Sequence, residues 1–305
     1  MCCLALKYVN DEHGWCSAKN RDRSKKIEVT IKRSFRKDIE RLLFSDCFSK
    51  WSEGINSAGV AISNTTLMNS KDKSEAGKNS NQEDFTSPGG KIIQQALFEK
   101  TPKKALEFLV ENEMEGFSAV FNRDEAYILE GFFTVDDDGE FDKYNYKVLK
   151  CDKDDVYVRT NHGILLPEAG YQDGTGDEEQ QAFYESSLSR YETALKSIKK
   201  SKITSPRDLI NAIAVTPHKD WMMNPIRITS THGKNTFCTT GQLLHVPSSL
   251  TLHYRNIWSN LTLDINKMSQ KDCKTHYEII SSAELITNEA LNGRSFSQWI
   301  SAHLI

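Results

Sequence analysis

Strand-like segments come in adjacent pairs along this sequence, and helix-like segments come in separate groups. Paired strands of that kind build antiparallel sheets, whereas a parallel sheet needs a crossover after each strand. Residues 2–9 and 15–22 flank a polar loop containing Gly14 and read as an opening hairpin. Residues 28–34 alternate as a strand does, and 55–63 form a small, apolar run that suits one strand packed on both faces. Residues 117–121 and 126–134 read as strands joined by a turn at Asn122-Arg123-Asp124-Glu125. Further strands are predicted at 144–149, at 156–160 and within 226–255. Helices are predicted at 91–99, from Thr101-Pro102 to Glu113, at 178–200, at 206–214 behind Ser205, and at 282–291 and 295–303. The pattern is that of an α+β fold with antiparallel sheets. No internal repeat and no glycine-rich phosphate loop interrupts it.

Composition removes several function classes. Thirty-nine Lys and Arg against 42 Asp and Glu leave a net charge of −3, which argues against a general nucleic-acid binder. No apolar run approaches the roughly 18 residues of a membrane span. Residues 70–90 are polar and end in Ser87-Pro88-Gly89-Gly90, so they read as a flexible loop. Seven cysteines cannot all pair with one another, and no CxxC spacing occurs. The start lacks an export signal, so a reduced, cytoplasmic protein with mostly inert thiols is expected. The histidines lack HExxH spacing, and Asp136-Asp137-Asp138-Gly139 reads as an acidic turn, so neither a metal nor a cofactor is predicted. Gly14-Trp15-Cys16 lacks the context of a papain-type nucleophile.

Cys2 is the exception among the cysteines. It follows Met1, and initiator methionine is commonly removed before so small a residue. Removal would place a thiol and a free α-amine on one residue. The amine has a reference pKa of about 7.7–8.0 and the thiol about 8.5. An N-terminal amine of that strength can serve as the base for its own side-chain nucleophile. The hairpin returns Ala18-Lys19-Asn20-Arg21-Asp22-Arg23 toward Cys2. Asp22 could hold the amine there, and either Lys19 or Arg21 could favour the thiolate.

These residues resemble a known family. Cys2 comes first, followed by Ala18-Lys19-Asn20-Arg21-Asp22 and Asn56-Ser57-Ala58-Gly59-Val60-Ala61-Ile62-Ser63-Asn64. Arg159-Thr160-Asn161-His162-Gly163 and Ser186-Ser187-Leu188-Ser189-Arg190 come next. That order resembles the N-terminal-nucleophile (Ntn) amidohydrolases, in particular the choloylglycine hydrolase, penicillin V acylase and acid ceramidase branch and the peptidase C45 acyltransferases. The resemblance runs from Cys2 to about Arg190. Where that family carries arginine three residues before the aspartate, this chain has Lys19, which supplies charge without a bidentate fork. The Asn20-Arg21-Asp22 run also resembles the NRDE family of Golgi-organisation proteins, but Arg23 stands where that family has Glu.

The resemblance implies a single domain over residues 1–305, folded as a four-layer αββα sandwich with mainly antiparallel sheets. It implies Cys2 as nucleophile, Asp22 as a contact of the α-amine, and Asn161 as a side-chain donor to the oxyanion. Arg190 would be the distal arginine and Asn64 a pocket or second oxyanion residue, with Lys19 or Arg21 as the active-site cation. The implied reaction is hydrolysis of a linear amide in a small N-acyl substrate through a thioester, without metal or cofactor. A C45-type acyltransferase is an alternative. So is a non-catalytic ligand-binding protein, should Met1 be retained. A homo-oligomer is compatible with either.

Overall fold

The computed structural model describes residues 2–23, 29–36, 38–46, 51–67, 88–135, 141–174, 178–214, 229–232, 235–256 and 285–286. They form two seven-stranded antiparallel sheets and four α-helices.

The first sheet contains β1 (Cys2–Tyr8), β2 (Trp15–Arg23), β10 (Val156–Arg159), β11 (Thr229–His232), β12 (Asn235–Val246), β13 (Thr251–Asn256) and β14 (Leu285–Ile286). Its order is β10-β1-β2-β12-β13-β14, with β11 paired to β12. The second sheet runs in chain order through β3 (Val29–Arg36), β4 (Ile39–Asp46), β5 (Ser52–Asn56) and β6 (Ala61–Thr65). It continues through β7 (Gly116–Phe121), β8 (Ala126–Val135) and β9 (Phe141–Lys150).

Alternation along the strands builds the layers. On β1 the odd and even residues face opposite ways, and both faces are buried. Leu4 and Leu6 pack with Trp15, Phe44, Ile55, Phe117 and Phe121 between the sheets. Cys3, Ala5, Cys16 and Ala18 face outward under α3 (Glu178–Lys200) and α4 (Pro206–Ala214). Small side chains on that face let the helices lie close to the sheet. On the far side, Leu43, Ile62, Val120 and Leu129 are covered by α1 (Pro88–Ala96) and α2 (Pro102–Glu111). The layer order is therefore helix, sheet, sheet, helix, the order implied by the resemblance.

Several local expectations hold. The opening hairpin pairs Cys2 with Arg21 and Leu4 with Lys19. Thr101 caps α2, its hydroxyl accepting from the Lys104 N–H at 3.3 Å, with Pro102 in the first turn. Asn122-Arg123-Asp124-Glu125 is a turn, closed by Asn122 Oδ1 accepting the N–H groups of Asp124 and Glu125 at 2.9 Å each.

Other expectations are corrected. The run 55–63 is two strands joined by a tight turn. Asn56 Oδ1 accepts from Ala58 and Val60, and Gly59 takes φ of +80°, which a side chain would resist. The strand β4 is additional to those predicted. Pro88 to Gly90 open α1, so they do not belong to the polar loop. The rest of that loop, 70–87, lies outside the described residues, as do the acidic run 136–139 and the predicted helix at 295–303. Within the predicted helix at 282–291, Leu285 and Ile286 are a strand pairing with His253 and Leu252. Among the described residues no helix is long and apolar enough to cross a membrane.

Candidate active site

Cys2 begins β1 at one end of the space between the sheets and is almost wholly buried. Its backbone nitrogen donates to Asn161 Oδ1 at 3.2 Å. Its carbonyl accepts from an Arg190 N–H at 2.6 Å, and another Arg190 N–H reaches Asn161 Oδ1 at 2.9 Å. Cys2, Asn161 and Arg190 thus close a triangle of hydrogen bonds, with Asn161 and Arg190 fully buried. A charge-assisted bond to a carboxamide oxygen fixes which way that carboxamide points.

The elements around the triangle hold it rigid. Arg190 comes from the middle of α3, where its Nε also donates to the Ser186 carbonyl at 3.1 Å. Asn161 follows the end of β10. Its backbone N–H donates to Ser187 Oγ at 2.8 Å, and its Nδ2 donates to the Thr66 carbonyl at 2.8 Å. Gly170 closes the loop behind it at φ +78°; a Cβ there would stand 2.5 Å from the Asn161 carbonyl oxygen. His162 packs against Tyr184 and Tyr191 and shares a hydrogen bond of 2.9 Å with Ser187 Oγ. Burial, reinforced by Arg190 and Arg159, brings its pKa down to about 4. It is a neutral structural group at pH 7.

A second cluster lies beside Cys2. Lys19 and Arg21 point inward from β2, and Lys19 Nζ donates to Glu53 Oε1 at 2.6 Å. Arg21 Nε stands 3.9 Å from the same oxygen, and its guanidinium lies 4.4 Å above the Phe44 ring. Ser63 Oγ donates to Glu53 Oε2 at 3.0 Å. Burial lowers the Lys19 pKa, while Glu53 and the Cys2 thiol oppose that fall. Burial works to raise the Glu53 pKa, but Lys19, Arg21 and His245 outweigh it and leave the carboxyl below its usual range. Lys19 and Glu53 thus form a close ion pair that spans the two sheets, with Arg21 beside it.

The positions singled out in the sequence meet different fates. Cys2, Lys19, Arg21, Asn161 and Arg190 come together. Asn161 presents its oxygen to the Cys2 nitrogen, and its N–H groups point toward Thr65 and Thr66. Asn64 is not brought to Cys2. It lies on the helix-facing side of β6, donating to the Ser52 carbonyl at 2.7 Å and accepting from Trp51 Nε1. Its neighbours Ser63 and Thr65 face the inter-sheet space instead. Asp22 pairs in the ladder with Thr239, and its side chain lies outside the described residues.

Glu53, Ser63, Ser187 and the Glu130–Arg159 pair were not anticipated from the sequence. Once the structure shows Lys19 buried, a carboxylate such as Glu53 is the partner it requires, but the sequence alone does not show that burial. Among the described residues no group of three or more His, Cys, Asp or Glu could hold a metal ion.

No protein-family model matches the chain, and no curated protein sequence matches it. Solved structures of similar fold include an N-acylethanolamine-hydrolyzing acid amidase ortholog from Caenorhabditis elegans, at 12% identity and TM-score 0.47, covering 81% of this chain and 93% of that one. Penicillin V acylase from Agrobacterium tumefaciens matches at 14% identity and TM-score 0.49, over 89% of each chain. A mutant conjugated bile acid hydrolase from Clostridium perfringens matches at 11% identity and TM-score 0.47, over 93% of this chain and 96% of that one.

Proposed function

We propose that the protein hydrolyses the amide bond of a small N-acyl substrate, using Cys2 as an N-terminal nucleophile exposed by loss of Met1. The observation that carries this reading is the buried triangle in which the Cys2 nitrogen meets the Asn161 carboxamide and the Cys2 carbonyl meets Arg190. A fully buried arginine and asparagine devoted to the first residue of a strand are more than hairpin stability requires.

In the proposed reaction the Cys2 sulfur attacks the amide carbonyl, and its proton passes to the α-amine. Asn161 Oδ1 holds that amine in place, with the carboxamide itself oriented by Arg190. The positive charge of Arg190 beside the amine disfavours the ammonium form, which keeps the base available near neutral pH. Lys19 and Arg21 stabilise the thiolate. Asn161 Nδ2 stabilises the tetrahedral oxyanion by exchanging its bond to the Thr66 carbonyl for one to substrate. A donor in that role is commonly worth about 10²–10³ in rate. The C–N bond then breaks, and the α-ammonium returns its proton to the leaving amine. Water attacks the Cys2 thioester, releasing the acid and restoring the thiol. An acceptor amine in place of water would make the same enzyme an acyltransferase, and product analysis separates the two.

The test is mass spectrometry of the protein with a panel of acyl amides. The expected results are a mass lacking Met1, an acyl adduct on Cys2, and no turnover by Cys2→Ala or Cys2→Ser. Full turnover by both variants, or a retained Met1 in the natural host, would remove the proposal.

A further inference from the structure

Lys19 reaches the inter-sheet space from β2 with no exposed surface. A lysine so placed sheds its proton unless a counter-charge holds it. The carboxylate that faces it, Glu53, comes from β5 of the opposite sheet. Both carboxylate oxygens are engaged, Oε1 by Lys19 at 2.6 Å and Oε2 by Ser63 at 3.0 Å. The carboxylate is thereby fixed in place, and Lys19 with it.

Cys2 stands opposite Arg21 in the β1–β2 ladder, two residues from Lys19 on the same face of β2. The Cys2 thiolate favours the charged form of Lys19. Such an interaction is mutual, so the charged form of Lys19 favours the thiolate equally. Other groups face the cluster. Arg21 adds positive charge from β2, and Arg190 adds more from α3 through the Cys2 carbonyl. His245 faces it from β12, fully buried and held neutral near pH 7. Asp22, next to Arg21, has its side chain outside the described residues.

We infer that Glu53 is a positioning residue for Cys2: it holds Lys19 charged and pinned beside the thiol, so that Lys19 favours the thiolate. The inference rests on the reading of Cys2 as nucleophile. It adds a residue from the opposite sheet that never touches the reacting atoms. Its removal leaves two cations, Lys19 and Arg21, crowded in a buried space. Lys19 then loses its proton first, because arginine holds its own far more strongly. The thiolate loses a neighbouring charge.

The experiment follows alkylation of Cys2 by iodoacetamide as a function of pH, with peptide mass mapping to separate Cys2 from the other thiols. Cys16 and Cys151 stay unreactive over most of the range, since burial raises each to about 12. Wild type is compared with Glu53→Gln and Glu53→Asp, each checked for folding by circular dichroism. Glu53→Gln should move the midpoint up by about one pH unit, a roughly tenfold slower reaction below the midpoint. Glu53→Asp keeps the charge and should stay near wild type. A wild-type midpoint in folded Glu53→Gln overturns the inference.

Should Glu53→Gln fail to fold, the paired substitution Lys19→Met with Glu53→Gln removes both charges at similar volume. That double variant should show the same raised midpoint, and a wild-type midpoint there overturns the inference equally. Labelling needs no substrate. A Cys2 that takes no acyl group from any amide sinks the hydrolase reading alone, whereas an unchanged labelling profile sinks the role of Glu53 alone.

Discussion

His245 is fully buried on β12, its Nδ1 sharing a hydrogen bond of 3.2 Å with Ser17 Oγ and its ring set edge-on to Phe121. Among the described residues its Nε2 has no hydrogen-bond partner. Burial, with Lys19 adding to it and Glu53 opposing, holds its pKa down at about 4. The unfolded chain takes up that proton near pH 6.5, whereas the folded chain takes it up only near pH 4. Between these values the unfolded state binds more protons, so stability falls as the pH is lowered through the window. For a shift of this size the loss amounts to about 3 kcal/mol by the bottom of the window. His162, also held near 4, works in the same direction. His245→Phe should therefore keep part of the acid sensitivity and lose the share that His245 carries. Urea midpoints at pH 7 and pH 4.5 measure it. Equal acid losses in variant and wild type would show that His245 is not responsible.

One side chain ties the loop behind Asn161 to the other sheet. Glu130, buried on β8, binds Arg159 Nε at 2.8 Å through Oε1. Through Oε2 it accepts the backbone N–H groups of Ile164, Leu165 and Leu166, at 3.0, 2.7 and 3.2 Å. Glu130→Gln would strip the countercharge from Arg159 and turn donors against donors. Breaking a buried ion pair from one side costs roughly 3–5 kcal/mol. A loss of that size is expected in chemical denaturation and, on the proposed reaction, slower acylation of Cys2 as Asn161 loses its support. Stability within about 1 kcal/mol of wild type would contradict the argument. Neither Glu130 nor Glu53 could be read from the sequence as inward-facing. A glutamate in a strand ordinarily points to water, and only a cation delivered by the opposite sheet reverses that. The opening hairpin was legible because its partners are neighbours in sequence and its turn carries its own glycine. The break at 56–60 was not, because small residues on both sides hid a turn that Asn56 makes with its own side chain. Asn64 was misleading for a related reason: one residue along a strand changes the face.

Across the whole molecule, the space between the sheets is divided. Its far part is apolar, with Leu6, Trp15, Phe121 and Ala126 in one buried cluster. At the Cys2 end, polar links cross from sheet to sheet: Lys19 to Glu53, Arg159 to Glu130, and Thr65 Oγ1 to the Thr160 carbonyl at 3.2 Å. The first sheet and its following loop supply Cys2, Lys19 and Asn161, while the second supplies Glu53, Thr65 and Thr66. The polar links hold geometry only while the apolar half keeps the sheets together, since buried ion pairs add little net stability of their own. Leu6→Ala tests this dependence. Leu6 is fully buried on β1, roughly 13 Å along the strand from Cys2. Its truncation opens a cavity between the sheets and should cost about 2–5 kcal/mol. Two probes of urea unfolding are compared: tryptophan fluorescence, which includes Trp15 in the core, and iodoacetamide labelling of Cys2. If the site depends on the docking of the sheets, both transitions shift to lower urea by the same amount. If labelling keeps its wild-type midpoint while fluorescence shifts, the Cys2 end holds together independently of the apolar half, and the polar links do not depend on the apolar core.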